Sequence, residues 1–170
     1  NRDIVKDDRS IISSKLTEWC NMDDIDVIIS TGGTGLTGRD VSVEAHRDVY
    51  EKEIDAFGTM FAIISMKKIG TSAVQSRACA GVAQGTYLFA LPGSPGACKD
   101  GWDEILKYQL DYTHKPCNFV EIMPRLDEDK KRKWFLIYCL SKRFKKVLML
   151  YYEYLHNLIF INKKLCLNRN

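Results

Sequence analysis

Apolar and polar residues along 1–126 follow two periods, one typical of strands and one typical of helices. Short apolar runs at 26–30 and 86–91 predict buried parallel strands, and Ile4-Val5 predicts the end of an earlier strand. Residues 72–82 have no clear pattern. Apolar residues at helical spacing predict helices at 10–20, 43–54, 57–68 and 95–110. Strands and helices that alternate in this way predict a parallel α/β sheet with helices on both faces.

The composition changes sharply near Leu126. All eleven glycines and all four prolines lie before it, and the net charge changes from −4 over 1–126 to +7 over 127–170. We predict a folded domain over 1–126 and an irregular, basic, aromatic tail over 127–170. The preferred interpretation of the tail is a non-native or disordered extension, with no nucleic-acid partner. The alternative is a peripheral segment that contacts acidic lipid or nucleic acid.

Cysteine spacing and hydropathy exclude several classes of protein. The six cysteines lie at least 19 residues apart, which gives no zinc-binding pair and favours free thiols in a reducing compartment such as the cytoplasm. With 45% hydrophobic residues, the chain can bury a core and is not wholly disordered. The uncharged runs of the tail fall far short of the ~20 residues that cross a bilayer, so we expect no transmembrane segment.

The segment 31–40, TGGTGLTGRD, is the strongest candidate for chemistry because it follows a predicted buried strand. It holds four glycines, which let backbone N–H groups approach an oxyanion, and a predicted helix follows it. These features predict a phosphate cradle, with a tight strand–helix turn as the alternative. The loop lacks the lysine of a Walker A motif, and its literal GxGxxG lacks the acidic strand end of a dinucleotide fold.

Two aspartates are candidates for holding Mg²⁺ beside this cradle. A carboxylate next to bound phosphate would repel it unless a cation lay between them, which makes Asp40 a candidate metal ligand. Asp7 follows the predicted early strand and could face the same edge of the sheet. The alternative for both is helix capping or simple surface exposure. Glu44, in the first turn of a predicted helix, has a similar alternative.

Other polar residues give weaker signals. Ser94 follows the second predicted strand and could bind an anion or cap a helix, and Arg77 could clamp a phosphate or lie on the surface. We expect His46 and the other two histidines to be solvated, because none has a carboxylate or cysteine at a telling spacing. The sequence therefore gives no support for a hydrolase nucleophile. Trp19 and Trp102 are expected in the core.

The loop and its surroundings together resemble the MoaB/MogA family of molybdenum-cofactor biosynthesis proteins, and most closely its MoaB branch. Order and spacing match throughout 4–126, about three quarters of the chain. The family begins with a strand, a loop and a helix that would precede Asn1, so the domain is expected to lack them and to be incomplete at its N-terminus. The matching motifs are TGGTGLTGRD at 31–40, residues 42–45, IDAFGTMF at 54–61, GTSAVQSRACAG at 70–81, FALPGSPGA at 89–97 and KPCNF at 115–119.

The resemblance implies a three-layer α/β/α fold with a mostly parallel sheet, and a homotrimer or a hexamer of two trimers. It implies Mg²⁺-dependent adenylyl transfer from ATP to molybdopterin. By position, Asp40 and Asp7 would be the catalytic, metal-binding carboxylates, and Ser94 would lie in a second ligand-binding turn. The substrate-binding residues expected in all are Thr31, Gly32, Gly33, Thr34, Gly35, Glu44, Ser76, Pro92, Gly93 and Ser94.

Three hypotheses for function remain at this point. The first is a molybdopterin adenylyltransferase of the cytoplasm. The second is a non-catalytic molybdopterin-binding or assembly protein. The third is an inactive gene fragment, because a lost strand would leave an open sheet edge.

Overall fold

A computed structural model describes residues 2–128 of the chain. Residues 129–170, which include nearly all of the predicted tail, lie outside the described residues. The fold below is that of the unit Asn1–Leu126. Its strands are β1 (Val27–Thr31), β2 (Lys52–Glu53), β3 (Cys79–Ala83) and β4 (Thr86–Leu91). Its α-helices are α1 (Arg9–Cys20), α2 (Ser42–Arg47), α3 (Asp55–Ile69), α4 (Pro95–Gly101), α5 (Lys107–Gln109) and α6 (Phe119–Ile122). Short 3₁₀ helices cover Gly70–Gln75 and Met123–Arg125, and a π-helical turn, Trp102–Leu106, joins α4 to α5.

The four strands form one mixed sheet in the order β1-β4-β3-β2. Strands β1 and β4 are parallel, with Val27 opposite Tyr87 and Thr31 opposite Leu91. Strand β3 pairs antiparallel with both β4 and β2, so three of the four strands run in the same direction. The α/β fold class is therefore confirmed. The parallel pair matters most for the site, because it brings the loops after β1 and β4 to the same sheet edge.

Helices pack on both faces of the sheet, as the alternating pattern predicts. Strand β4 contributes side chains to the core on both faces of the sheet, with Phe89 on one side and Leu88 on the other. Helix α3 and the π-helical turn cover the first face, and α1 and α2 cover the second. The first core cluster contains Phe57, Phe61, Ala80, Val82, Tyr87, Phe89, Leu91, Ile105 and Leu106. The second contains Ile12, Leu16, Cys20, Ile28, Ala45, Ala83 and Leu88.

Two sequence predictions of secondary structure were wrong, and one strand was not predicted. Ile4 and Val5 do not form a strand, since within the described residues no neighbouring strand lies beside them to share hydrogen bonds. The helix expected over 43–54 ends at Arg47, and the chain enters β2. The segment 72–82, which showed no pattern, contains the fully buried strand β3. Its small residues, Cys-Ala-Gly-Val-Ala, have no polar alternation because both faces are covered.

The helix predicted over 95–110 forms, but its apolar stripe is interrupted. The π-helical turn widens the helix over Trp102–Leu106, and a wider turn shifts the faces that side chains occupy. Ile105 and Leu106 are buried, whereas Trp102 remains 47% exposed and outside the core. The prediction of a core tryptophan was wrong at Trp102. Trp19 is partly buried against the second core cluster.

Candidate functional site

A cleft of about 480 Å³ opens where the loops after β1 and β4 meet the end of α3. We call it the front cleft. Its walls are the glycine loop, the C-terminal end of α3 with the following 3₁₀ helix, and the start of α4. Nine of the twelve predicted site residues line it: Gly32, Gly33, Thr34, Gly35, Asp40, Ser76, Pro92, Gly93 and Ser94.

The glycine loop adopts a backbone that side chains would obstruct. Gly32 and Gly33 have φ of +97° and +64°, in the left-handed region that glycine tolerates. A Cβ atom on Gly33 would lie 2.5 Å from the Ser42 Oγ atom. Two backbone bonds hold the segment: Gly32 N–H donates to the Leu91 carbonyl at 3.0 Å, and Ser42 N–H donates to the Gly33 carbonyl at 2.9 Å. The loop is thus fixed to β4 on one side and to α2 on the other.

The carboxylate of Asp40 closes the far half of the loop. Its Oδ2 atom accepts hydrogen bonds from the Thr37 hydroxyl at 2.7 Å and the Thr37 N–H at 2.8 Å. These bonds, the hydroxyl first, lower the pKa of Asp40 below its ordinary value, so the carboxylate is ionised at neutral pH. Both bonds from Thr37 end on Oδ2, so neither uses Oδ1. An ionised carboxylate is a hard oxygen ligand of the kind that Mg²⁺ prefers, so the chemistry of Asp40 fits such a cation.

Arg77 binds the carbonyl side of the glycine loop. Its Nε atom donates to the Thr34 carbonyl at 2.9 Å, and Nη2 donates to the Gly35 carbonyl at 2.8 Å. Its Nη1 atom donates to Glu44 Oε1 at 2.6 Å, which lowers the pKa of Glu44. Glu44 therefore lies behind the loop and does not line the front cleft. Arg77 is therefore a half-buried residue whose guanidinium group binds loop carbonyls and Glu44, and it does not line the front cleft.

The turn after β4 contacts the glycine loop directly. A Cβ atom on Gly93 would lie 3.1 Å from the Cα atom of Gly32, so these two glycines allow the two loops to touch. Ser94 caps α4, because its Oγ accepts a hydrogen bond from the Ala97 N–H at 3.3 Å. The capping role offered as the alternative for Ser94 is present, and the residue also lines the front cleft.

Asp7 and Thr31 line a different cleft. This edge cleft, of about 510 Å³, follows the outer side of β1 beneath the N-terminal segment and shares Gly32 with the front cleft. Asp7 Oδ2 accepts a hydrogen bond from Arg39 at 3.1 Å. The two predicted catalytic aspartates therefore lie near the same loop but line separate clefts.

A contact between the buried His46 of α2 and the half-buried Ser30 of β1 was not predicted from the sequence, and the prediction of a solvated His46 was wrong. His46 is fully buried, and burial lowers its pKa to about 4. Its Nδ1 lies 2.7 Å from the Ser42 carbonyl, which can only accept, so Nδ1 carries the proton. The Ser30 hydroxyl then donates to Nε2 at 2.9 Å. The available signal in the sequence was that the neighbours Val43 and Ala45 are apolar, and the structure shows both of them buried.

Five further polar residues line the front cleft that were not predicted as site residues: Ser65, Lys68, Ser72, Gln75 and Asp100. They lie on α3, the 3₁₀ helix after it, and α4, which approach one another only in the folded chain. The Lys68 ammonium group forms an ion pair with the Asp100 carboxylate across this wall. Only tertiary packing brings this pair together, so local sequence patterns carried no signal for it.

The described residues hold no ready-made metal cage. Within 2–128, no group of three or more His, Cys, Asp or Glu side chains is placed to bind a metal ion. The four cysteines of this part, Cys20, Cys79, Cys98 and Cys117, are free thiols, which agrees with the cysteine spacing. No helix in the same part is both long and apolar enough to cross a bilayer.

Comparisons with known proteins identify the family. A domain model described as "Probable molybdopterin binding domain" matches residues 1–112. Molybdenum cofactor biosynthesis protein B of Escherichia coli strain K12 is 46% identical over 116 residues, which cover 68% of this chain and 68% of that protein. The crystal structure of a molybdenum cofactor biosynthesis protein B has a TM-score of 0.62 at 38% identity, covering 64% of this chain and 68% of that one.

A second solved structure is the tungsten cofactor synthesizing protein MoaB from Pyrococcus furiosus. It has a TM-score of 0.58 at 37% identity, and the match covers 64% of this chain and 68% of that chain. The domain match, the sequence identity and the shared fold agree with the motifs around the glycine loop. The chain therefore belongs to the MoaB/MogA family of molybdenum-cofactor biosynthesis proteins.

Proposed function

We propose that this domain catalyses the Mg²⁺-dependent transfer of an adenylyl group from ATP to the phosphate of molybdopterin. The observation that carries the proposal is the meeting of two loops in one cleft. Gly32, beside Asp40 in the lining, touches Gly93 of the turn after β4. One cleft therefore holds a carboxylate and the two turns that we propose to bind ligands, which is what a reaction between two phosphorylated substrates requires.

The reaction suits a site without a strong base. An oxygen of the molybdopterin phosphate attacks the α-phosphorus of ATP, a new P–O bond forms, and the bond to the β-phosphate breaks to release pyrophosphate. Because the attacking phosphate is already ionised at neutral pH, no side chain has to remove a proton. The main barriers are the approach of two anions and the charge on the leaving pyrophosphate.

The glycine loop supplies fixed, uncharged groups for the phosphate of molybdopterin. Gly32 and Gly33 keep the backbone free of Cβ atoms, and the buried Thr34 lies in the same wall. Asp40 would hold Mg²⁺ together with substrate oxygens, and the cation would neutralise charge at the pyrophosphate. Asp7 remains the proposed second metal-binding carboxylate, and it would act from the edge cleft, which also contains Gly32.

A non-catalytic molybdopterin-binding protein is the second candidate. The observation that favours it is that Asp40 Oδ2 accepts two hydrogen bonds from Thr37. This carboxylate therefore has a structural role within the loop. In that case the front cleft would bind molybdopterin tightly, and added MgATP would release no pyrophosphate.

Pyrophosphate release separates the two candidates. The full chain is incubated with molybdopterin and ATP, with Mg²⁺ or with EDTA, and pyrophosphate is measured over time. Adenylyl transfer requires release that depends on both substrates and stops with EDTA. Binding of molybdopterin at equilibrium without any release would refute adenylyl transfer and support the binding protein.

We also propose assembly as a homotrimer or a hexamer. The support is an apolar stripe on the outer side of α3, where Met60, Ile63 and Met66 are each about half exposed or more. Light scattering after size exclusion measures the mass of the particle. A cooperatively melting trimer would also exclude the inactive-fragment hypothesis.

A further inference from the structure

The front cleft has a cationic end that the glycine loop does not supply. Among residues 2–128, Lys68 is the only Lys or Arg side chain that lines this cleft. The other charged residues of the lining are Asp40 and Asp100, so the wall carries a net negative charge before any ligand binds. A cleft of that charge is a poor site for ATP unless its one cation contacts the phosphates.

The Lys68 ammonium is held in place but is not saturated. It forms an ion pair with Asp100 on α4, and Glu104 Oε1 lies 3.8 Å away. The hydrogen bond with Asp100 raises the pKa of Lys68, so the group stays charged at neutral pH. An ammonium has three donors, and its side chain is 44% exposed at the cleft. A phosphate oxygen can therefore bind Lys68 while Asp100 keeps its contact.

We infer that Lys68 forms a phosphate subsite for the polyphosphate end of the nucleotide, with Asp100 as the residue that positions it. The inference rests on the proposed adenylyl transfer, which brings a triphosphate into this cleft. The glycine loop lies on a different wall and is assigned to the phosphate of molybdopterin. Two separate anion sites would keep the substrates' phosphates apart until Mg²⁺ joins them.

A binding titration tests the subsite without requiring turnover. The probe is α,β-methylene-ATP with Mg²⁺, because its P–C–P link cannot be cleaved by adenylyl transfer. Lys68→Ala is expected to weaken binding at least tenfold, since a charge-assisted hydrogen bond is lost. Lys68→Arg should stay within about threefold of the wild type. Lys67→Ala is the matched control, because Lys67 is exposed and does not line the cleft.

Asp100→Asn separates a ligand role from a structural one. If the ion pair only ties α3 to α4, Lys68→Ala and Asp100→Asn should weaken binding equally. A phosphate subsite predicts different effects: Asp100→Asn should leave binding unchanged or several-fold tighter, because the amide oxygen can still accept the hydrogen bond from Lys68 while a negative charge is removed. Thermal melting of each variant reports any loss of fold. Wild-type affinity in a folded Lys68→Ala, or equal losses in both variants, would overturn the inference.

The same experiments distinguish this inference from the proposed function. If the wild type binds the analogue through Lys68 but never releases pyrophosphate from ATP, the subsite stands and adenylyl transfer fails. If pyrophosphate is released and Lys68→Ala leaves the KM for ATP unchanged, adenylyl transfer stands and the subsite fails. A wild type that binds no analogue and releases no pyrophosphate contradicts both.

Discussion

The front cleft and the edge cleft have similar volumes and share Gly32, yet they are held together in different ways. Arg77 and Asp40 fix the wall of the front cleft through hydrogen bonds to the glycine loop. In the edge cleft, Asp7 lies on a segment without regular structure and is paired with Arg39, whose side chain is 86% exposed. An exposed pair of this kind contributes little to stability.

This difference shows that two carboxylates predicted from the sequence for the same role can differ in how firmly the fold holds them. Chemistry that depends on position within a fraction of an ångström suits the front cleft. The edge cleft instead borders the side of β1 that has no paired strand within the described residues. Substitutions matched between the two regions test whether the clefts differ in this way.

The largest expected effect is the loss of catalytic activity in the Asp40→Asn variant. The amide oxygen can still accept the hydrogen bonds from Thr37, but it binds Mg²⁺ far more weakly than a carboxylate. We expect pyrophosphate release to fall at least a hundredfold, with an unchanged melting temperature. Asp7→Asn should cause a smaller loss. Equal losses in the two variants would instead place the edge cleft within the reacting site.

Acid should loosen the β1–α2 connection behind the edge cleft through His46. Its pKa is about 4 when folded and 6.5 when unfolded, so the unfolded chain binds a proton first as the pH falls. The stability that comes from neutral His46 is complete above pH 6.5 and is lost progressively down to pH 4, by about 3 kcal/mol. Urea unfolding across this range measures it. His46→Gln should flatten the profile.

Arg77→Ala should destabilise the domain by about 2 kcal/mol, because the loop carbonyls and Glu44 lose their partner. The matched substitution in the other region is Arg39→Ala, which should cost less than about 0.5 kcal/mol because the pair with Asp7 is exposed. Denaturant midpoints of the two variants provide the measurement. Comparable costs for the two arginines would show that the edge cleft is as firmly held as the front cleft.

The smallest expected effect concerns the loop backbone. Gly33→Ala should cost about 1 kcal/mol, because alanine is strained at a φ of +64° and its Cβ would meet Ser42. Gly38→Ala is the control from the same loop, since a Cβ there would meet nothing within 4 Å. Its unfolding free energy should match the wild type within about 0.5 kcal/mol. A neutral Gly33→Ala would show that the loop is more adaptable than its hydrogen bonds suggest.

Much of this fold could be predicted from hydrophobic periodicity, and the reason for each miss is physical. Strand β4 was predicted from its apolar run alone, because a fully buried strand needs no alternation. Strand β3 was missed since its small residues resemble a loop. Asp40 and the glycines were found because a loop after a buried strand is a known place for chemistry. Lys68 and Asp100 were missed because their meeting depends on how α3 packs beside α4.

Arg77 has one more consequence, which concerns the entropy of ligand binding. Glycine-rich segments have the most conformational freedom to lose when a ligand orders them. Here the guanidinium group has already fixed the peptide groups of Thr34 and Gly35. The loop therefore loses this conformational entropy when the chain folds and not when a ligand binds, so a ligand encounters a preorganised surface. A residue that touches no ligand would thereby raise the affinity for one.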